Sequence, residues 1–343
     1  MMRAPMFRYH AAANVKDAVA ALAGGGAEAM LLAGGTDLVP NMKRRQQTPG
    51  LVIGIARLAA LRAIANGTGL TLGACATLNE VAEHPKVRAG YAALAKAAGS
   101  VATVHLRNMG TLGGNLCLDT RCNYYNQNQE WRRAIDFCMK APKGTDGHAC
   151  ASPDGTSICW VATSSARCWA VSSTDTAPAL ISLGAEITLV GPKGKRTIPL
   201  EELYRNDGMS YLTKRPDEIL TQVKLMKPAA GQRSTYWKLR RRGSFDFPVL
   251  GVAAAVTSGR SGIVTAARVV LGAVTSCPVL VPESGTLVGK PLSDDVIREF
   301  AELCWKHARP LDNTDFDLAW RKKVVKSYVV GALKELRGQQ AAR

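Results

Sequence analysis

Apolar residues recur at helical spacing from Val15 to Leu22, behind Asn14 as an N-cap and ahead of the stop Gly24-Gly25-Gly26. Met30-Leu31-Leu32-Ala33 then reads as a buried strand. A glycine turn and a short helix to Arg45 follow, and Leu51-Val52-Ile53-Gly54-Ile55 is another buried strand. This alternation predicts a small α/β unit of βαβ type. From about Leu61 the segments shorten: Leu70–Gly73 predicts a strand, and Leu78–His84 and Val87–Ala98 predict helices. Period-two alternation across 185–226, as in Glu186-Ile187-Thr188-Leu189-Val190, predicts antiparallel sheet. A third block begins near Ser234. It holds a strand pair, Val249–Val256 and Ile263–Leu271, joined by Ser258-Gly259-Arg260-Ser261-Gly262, and then helices at about Asp294–Ala308 and Trp320–Leu336.

The chain has 343 residues, whereas single cores stop growing at roughly 250 to 300 residues, so at least two domains are expected. No apolar run approaches the roughly 18 residues of a membrane span, and no signal-peptide core follows Met1, so neither membrane nor export is expected and the cytoplasm is. Lys and Arg outnumber Asp and Glu by 44 to 27, a formal net charge of +17. The basic clusters Lys43-Arg44-Arg45 and Arg240-Arg241-Arg242 are short, far apart and free of interleaved aromatics, which argues against nucleic acid. Phosphate-bearing cofactors and an acidic partner account better for the charge. The histidines share no spacing that suggests a metal site or a triad.

The candidate chemistry lies in two glycine-dense turns and a run of cysteines. Met30–Ala33 feeds Gly34-Gly35-Thr36-Asp37-Leu38 and then a helix, so backbone N–H groups and a helix start converge where glycines let an anion approach. This suits a pyrophosphate, although it is not the GxGxxG fingerprint. The second turn is Arg107-Asn108-Met109-Gly110-Thr111-Leu112-Gly113-Gly114-Asn115. Of nine cysteines, six (Cys117, Cys122, Cys138, Cys150, Cys159 and Cys168) fall in one stretch. In a reducing compartment such a cluster is not expected to form structural disulfides.

Leu32-Ala33-Gly34-Gly35-Thr36-Asp37-Leu38, followed by Gly110-Thr111-Leu112-Gly113-Gly114-Asn115, resembles the FAD subunit of the xanthine dehydrogenase and carbon monoxide dehydrogenase family of molybdenum hydroxylases. Asp175-Thr176-Ala177-Pro178-Ala179-Leu180, Tyr236-Trp237-Lys238 through Phe247-Pro248-Val249, and Trp320-Arg321 match further stretches in the same order. The resemblance implies an α+β protein with a bipartite FAD-binding domain. A small α/β unit at 1–58 and a larger α+β unit at 59–230 would bind the flavin, and a C-terminal α+β domain would occupy 231–338. Leu31, Leu32, Ala33, Gly34, Gly35, Thr36, Asp37 and Leu38 would hold the pyrophosphate. Thr111, Gly114 and Asn115 would line the flavin and ribityl side, with Asp175 and Lys238 completing the site. Amides and threonine hydroxyls can satisfy phosphate oxygens, and Asp175 can accept hydrogen bonds from ribityl or adenosine hydroxyls. Lys238, beside Arg240-Arg241-Arg242, equally suits a solvated or interface-facing patch.

In most members of that family only a few residues separate the Gly-Gly-Asn turn from the Asp-Thr-Ala-Pro stretch, so the segment at about 117–172 is an insertion. Leu118-Asp119-Thr120-Arg121-Cys122-Asn123-Tyr124-Tyr125-Asn126-Gln127, continuing to Trp131-Arg132, resembles the flavoprotein subunit of 4-hydroxybenzoyl-CoA reductase. That resemblance implies a 4Fe-4S cluster on Cys122, Cys138, Cys159 and Cys168. Lys140–Ser157 is longer than the pattern and brings in Cys150, so Cys150 or Cys117 could replace one ligand. Cys150 sits in the turn-rich part of the loop, whereas Cys159 and Cys168 each precede a Trp. Free buried thiols and a structural zinc are the alternatives, the latter disfavoured because no Cys-x-x-Cys knuckle is present. The implied partners are a molybdopterin-containing large subunit, a small subunit with two 2Fe-2S clusters, and an external one-electron carrier such as ferredoxin. The substrate would be 4-hydroxybenzoyl-CoA. The competing expectations are an oxidative hydroxylase acting on a purine, an N-heterocycle or an aldehyde, and a zinc-stapled module without redox function.

Overall fold

A computed structural model describes residues 3–141 and 158–341, so Cys150 and most of the loop expected at Ala141–Thr156 lie outside the described residues. The architecture is α+β, built on three sheets. The first is parallel, with β1 (Arg8–Ala11), β2 (Ala29–Leu32) and β3 (Leu51–Gly54) in the order β1-β3-β2. Asn14 caps the helix Val15–Gly25 by accepting from the Asp17 N–H at 2.9 Å, a contact worth about 1 kcal/mol. That helix buries Ala18, Val19 and Leu22 against Ile53, Ile55 and Leu58.

The second sheet is antiparallel: β4 (Ile64–Asn66), β5 (Gly69–Gly73), β6 (Glu186–Gly191), β7 (Gly194–Pro199) and β8 (Ile219–Met226), in the order β4-β5-β8-β6-β7. Helices Leu78–Glu83, Ala92–Ser100 and Thr176–Ser182 share its core. The single helix expected at Val87–Ala98 is instead two, Pro85–Gly90 and Ala92–Ser100. Tyr91 breaks it at φ −135°, ψ 55°, while its hydroxyl donates to the Met226 carbonyl at 2.8 Å.

The third sheet is antiparallel, with β9 (Gln232–Leu239), β10 (Leu250–Ser258), β11 (Val264–Gly272) and β12 (Val279–Leu280) in the order β12-β11-β10-β9. Its alternation feeds two cores. Val252, Ala254 and Val256 face Val325, Val329 and Leu333 of the helix Leu318–Ala341, whereas Ala253, Val270 and Tyr236 join the core of the second sheet. The third sheet is thereby packed onto the second unit.

The cysteine-rich segment expected to be an insertion is closed at its base by an antiparallel bridge, Arg121 N–H to the Val171 carbonyl at 2.8 Å and the reverse bond at 2.7 Å. A short helix, Gln129–Ala134, lies within it, capped by Asn128. The Gln46 side chain donates to the Tyr125 carbonyl at 2.5 Å, and that of Asn313 to the Trp169 carbonyl at 2.7 Å. The insertion is therefore tied to both the first unit and the C-terminal domain. Among the described residues no helix is long and apolar enough to cross a membrane.

Candidate functional site

The chain leaves β2 through two glycines whose requirements differ. Gly35 has φ +72°, where a side chain is strained. Gly34 lies against the second glycine turn, backbone to backbone: a Cβ there would fall inside the Met109 carbonyl group. The second turn is locked in place by the Leu78 N–H on the Gly110 carbonyl (2.8 Å), the Leu112 N–H on Ala76 (2.9 Å) and the Gly113 N–H on Ala74 (2.7 Å). Thr111 caps the helix Leu112–Leu116 by accepting from the Gly114 N–H at 3.1 Å.

Between the turns lies a cavity of about 620 Å³ lined by Leu31, Ala33, Gly34 to Leu38, Thr111, Gly114, Asn115 and Asp175. Its size is in the range of cofactor pockets, and its glycine-bare walls let a ligand's phosphates reach the backbone. Two of the residues expected at the site do not line it. Leu32 packs under Gly35, and its carbonyl accepts from the Ile55 N–H at 2.9 Å. Lys238 lies behind the wall, donating to Asp175 at 3.0 Å and to the Ser100 carbonyl at 3.1 Å.

Asp175 is buried at the cavity wall. It accepts from Lys238 and, at 2.8 Å, from the Tyr236 hydroxyl, while neighbouring Asn115 Oδ1 accepts from Thr174 and Thr176. Burial pushes the Asp175 carboxyl up and the Lys238 ammonium down, and their mutual attraction offsets only part of each shift. Lys238→Met leaves that carboxylate without its cation, so stability in denaturant should fall by about 3 kcal/mol. A Lys238 that bound the cofactor directly would instead lose flavin with apoprotein stability unchanged.

Sequence reasoning missed Arg121, which the insertion places on the cavity wall. Its guanidinium pairs with Asp37 of the first turn, donates to Asn41 at 3.1 Å and sits 5.0 Å over the Phe247 ring. Burial brings its pKa down to about 10. Tyr211, Lys214 and Phe245 to Phe247 also line the cavity, and no local spacing marks any of them in the sequence.

The four cysteines named from the sequence are all buried, 5–7% exposed. Cys122, Cys138 and Cys168 pack together with Tyr124, Tyr125, Phe137 and Ala170, and Cys159 lies outside that packed cluster. Each lies within electrostatic reach of others in the set, Cys122 of Cys138 and Cys168, and Cys159 of Cys138 and Cys168. Burial pushes the Cys122 thiol up to about 12 and Cys168 to about 11, and it raises Cys138 as well. The Ala170 N–H donates to the Cys168 sulfur at 3.4 Å, whereas the Tyr125 and Ala141 N–H groups donate to the Cys122 and Cys138 carbonyls at 3.0 and 2.7 Å. Cys117 stands apart on the wall of the large cavity, near Lys214. Cys150 lies outside the described residues.

A glycine-walled cavity between a parallel α/β unit and an antiparallel one defines a nucleotide-binding subunit. Residues 5–228 match the family model of the FAD-binding domain in molybdopterin dehydrogenase, and 234–336 match the CO dehydrogenase flavoprotein C-terminal domain. The chain belongs to this family of FAD-binding subunits, the xanthine and CO dehydrogenase molybdenum hydroxylases; it binds FAD and is an oxidoreductase subunit. It is 32% identical over 257 residues to the aldehyde oxidoreductase FAD-binding subunit PaoB of Escherichia coli (strain K12), covering 73% of this chain and 76% of that one. It is 27% identical over 312 residues to the nicotinate dehydrogenase FAD-subunit of Eubacterium barkeri, covering 89% of this chain and 86% of that one. A solved structure of carbon monoxide dehydrogenase from Hydrogenophaga pseudoflava, lacking the Mo-pyranopterin moiety, matches with a TM-score of 0.75 and 26% identity, covering 97% of this chain and 98% of that one. Membership sets aside the zinc-stapled module without redox function.

Proposed function

We propose that this chain is the electron relay of a molybdenum hydroxylase complex, carrying FAD in the large cavity and a 4Fe-4S cluster on Cys122, Cys138, Cys159 and Cys168, as in the flavoprotein subunit of 4-hydroxybenzoyl-CoA reductase. What supports this is the burial of all four thiols in one segment, with Cys122, Cys138 and Cys168 packed together and Cys168 receiving the Ala170 N–H, where the same segment also walls the flavin cavity. Hydrogen bonds to sulfur and shielding from water are what such clusters require. Among the described residues no three His, Cys, Asp or Glu side chains could hold a metal ion directly. Zinc is disfavoured because no Cys-x-x-Cys knuckle is present.

Gly34 to Leu38 would cradle the pyrophosphate, Thr111, Gly114 and Asn115 the ribityl side, and Asp175 a cofactor hydroxyl, with Lys238 holding Asp175. When bound, the flavin exchanges electrons in ones and twos, and the cluster exchanges them singly. The division at about residues 58 and 230 is part of this proposal. So are the cytoplasmic setting, the molybdopterin-containing large subunit, the small subunit with two 2Fe-2S clusters and an external carrier such as ferredoxin. Low-temperature EPR of the anaerobically purified, dithionite-reduced chain should show one reduced 4Fe-4S centre per flavin; an EPR-silent, zinc-loaded chain overturns the cluster.

The insertion motif favours a reductive complex that removes the phenolic hydroxyl of 4-hydroxybenzoyl-CoA. A second reading, oxidation of an aldehyde or N-heterocycle with electrons flowing outward, is favoured by the aldehyde oxidoreductase and nicotinate dehydrogenase names of the relatives. Turnover of the assembled complex with 4-hydroxybenzoyl-CoA, an aromatic aldehyde and nicotinate separates the two.

A further inference from the structure

We propose that Arg121 is a further cofactor-binding residue: its guanidinium neutralises Asp37 beside the first glycine turn and donates to phosphate oxygens of the FAD diphosphate. This rests on the reading above, in which Gly34 to Leu38 cradle the diphosphate in the large cavity. Arg121 lines that cavity although it is only 3% exposed. Its backbone is fixed by the two-way pairing with Val171, so the side chain starts from a held point. From there the guanidinium reaches the first turn. It pairs with the Asp37 carboxylate and donates to Asn41 Oδ1 at 3.1 Å, while the Asn41 amide donates to the other Asp37 oxygen at 3.0 Å. The Phe247 ring covers one face of the cation at 5.0 Å.

A diphosphate is an anion, and a bare Asp37 carboxylate beside it would repel it, the more strongly where water is excluded. Arg121 cancels that carboxylate and has donors to spare. A guanidinium carries five N–H groups, and the structure gives them two acceptors, Asp37 and Asn41, with Nε left without a partner. Charge-assisted contact with phosphate oxygens is what such a fork of donors does well. Among the described residues, the other cations on the wall are placed differently. Lys214 is engaged by the Arg215 and Glu218 carbonyls at 3.0 and 2.9 Å, and Arg44 lies past the far end of the helix Leu38–Lys43 from Asp37. The contact asks nothing of the neighbouring thiols, so it holds with or without a metal on them.

The test is titration of the flavin-stripped full chain with FAD, followed by flavin fluorescence, and displacement of that FAD by ADP and by adenosine. Arg121→Gln should weaken FAD and ADP by about ten- to a hundredfold, the worth of a hydrogen bond to a charged group, and leave adenosine unchanged. Arg121→Lys should recover part of the loss. Asp37→Asn removes the like charge and should tighten ADP relative to wild type, again with adenosine unchanged; it serves if Arg121→Gln does not fold. Unchanged ADP affinity in either folded variant, or ADP and adenosine weakened equally in Arg121→Gln, overturns the inference and leaves Arg121 as packing of the wall. A wild-type chain that binds ADP no more tightly than adenosine overturns the placing of the diphosphate beneath it.

Discussion

The variant Gly34→Ala is expected to fold and to purify with almost no flavin. The two glycine turns meet through their backbones, and an added Cβ would fall inside the Met109 carbonyl group and 2.9 Å from the Gly110 α-carbon. Backbone cannot give way as the tip of a flexible side chain can, so the turns must separate. Forcing extra volume into such a contact costs about 3 kcal/mol. If that cost falls on the ligand-binding arrangement, it is more than roughly a hundredfold in affinity. The check is the flavin-to-protein absorbance ratio, with a thermal unfolding curve of the apoprotein to show that the fold survives. A folded Gly34→Ala protein with its full FAD complement would mean that the meeting of the turns does not hold the cofactor.

Cys122→Ser should lose its iron and keep its flavin. Serine cannot supply the thiolate that an iron-sulfur cluster needs at neutral pH. Cys122 is buried with Cys138 and Cys168 and is not on the flavin cavity wall. The proposed cluster is thus separable from the flavin by substitution even though Arg121, the neighbour of Cys122 in sequence, touches the cavity. Iron and flavin analysis of the same preparation checks this, and loss of both together would mean that the insertion and the flavin site fold as one.

What the sequence made legible was local. The run Met30–Ala33 between glycines marked β2 and its turn, and the alternation on either side of Ser258–Gly262 marked the β10–β11 hairpin, because in both cases the signal and the structure share a few neighbouring residues. β1 was not foreseen: Arg8–Ala11 is mostly exposed, and it is a strand because it pairs with Leu51–Gly54, far along the chain. Tyr91 broke an otherwise helical pattern through a contact with Met226. At the site, the glycine turns could be read from their motifs, because both line the cavity. Lys238 lies behind Asp175 rather than on the cavity wall because β9 packs against the helix Ala92–Ser100, whose Ser100 carbonyl accepts from its ammonium. Arg121 escaped notice for a similar reason, since its place on the cavity wall arises only where it meets Asp37 and Asn41, far away in sequence.

The most direct measurement is the FAD, iron and acid-labile sulfide content of the anaerobically purified chain. The account predicts about one FAD with about four irons and four sulfides in each polypeptide. A folded preparation that is colourless and takes up no FAD when offered it, or a yellow one that holds zinc in place of iron, would contradict it.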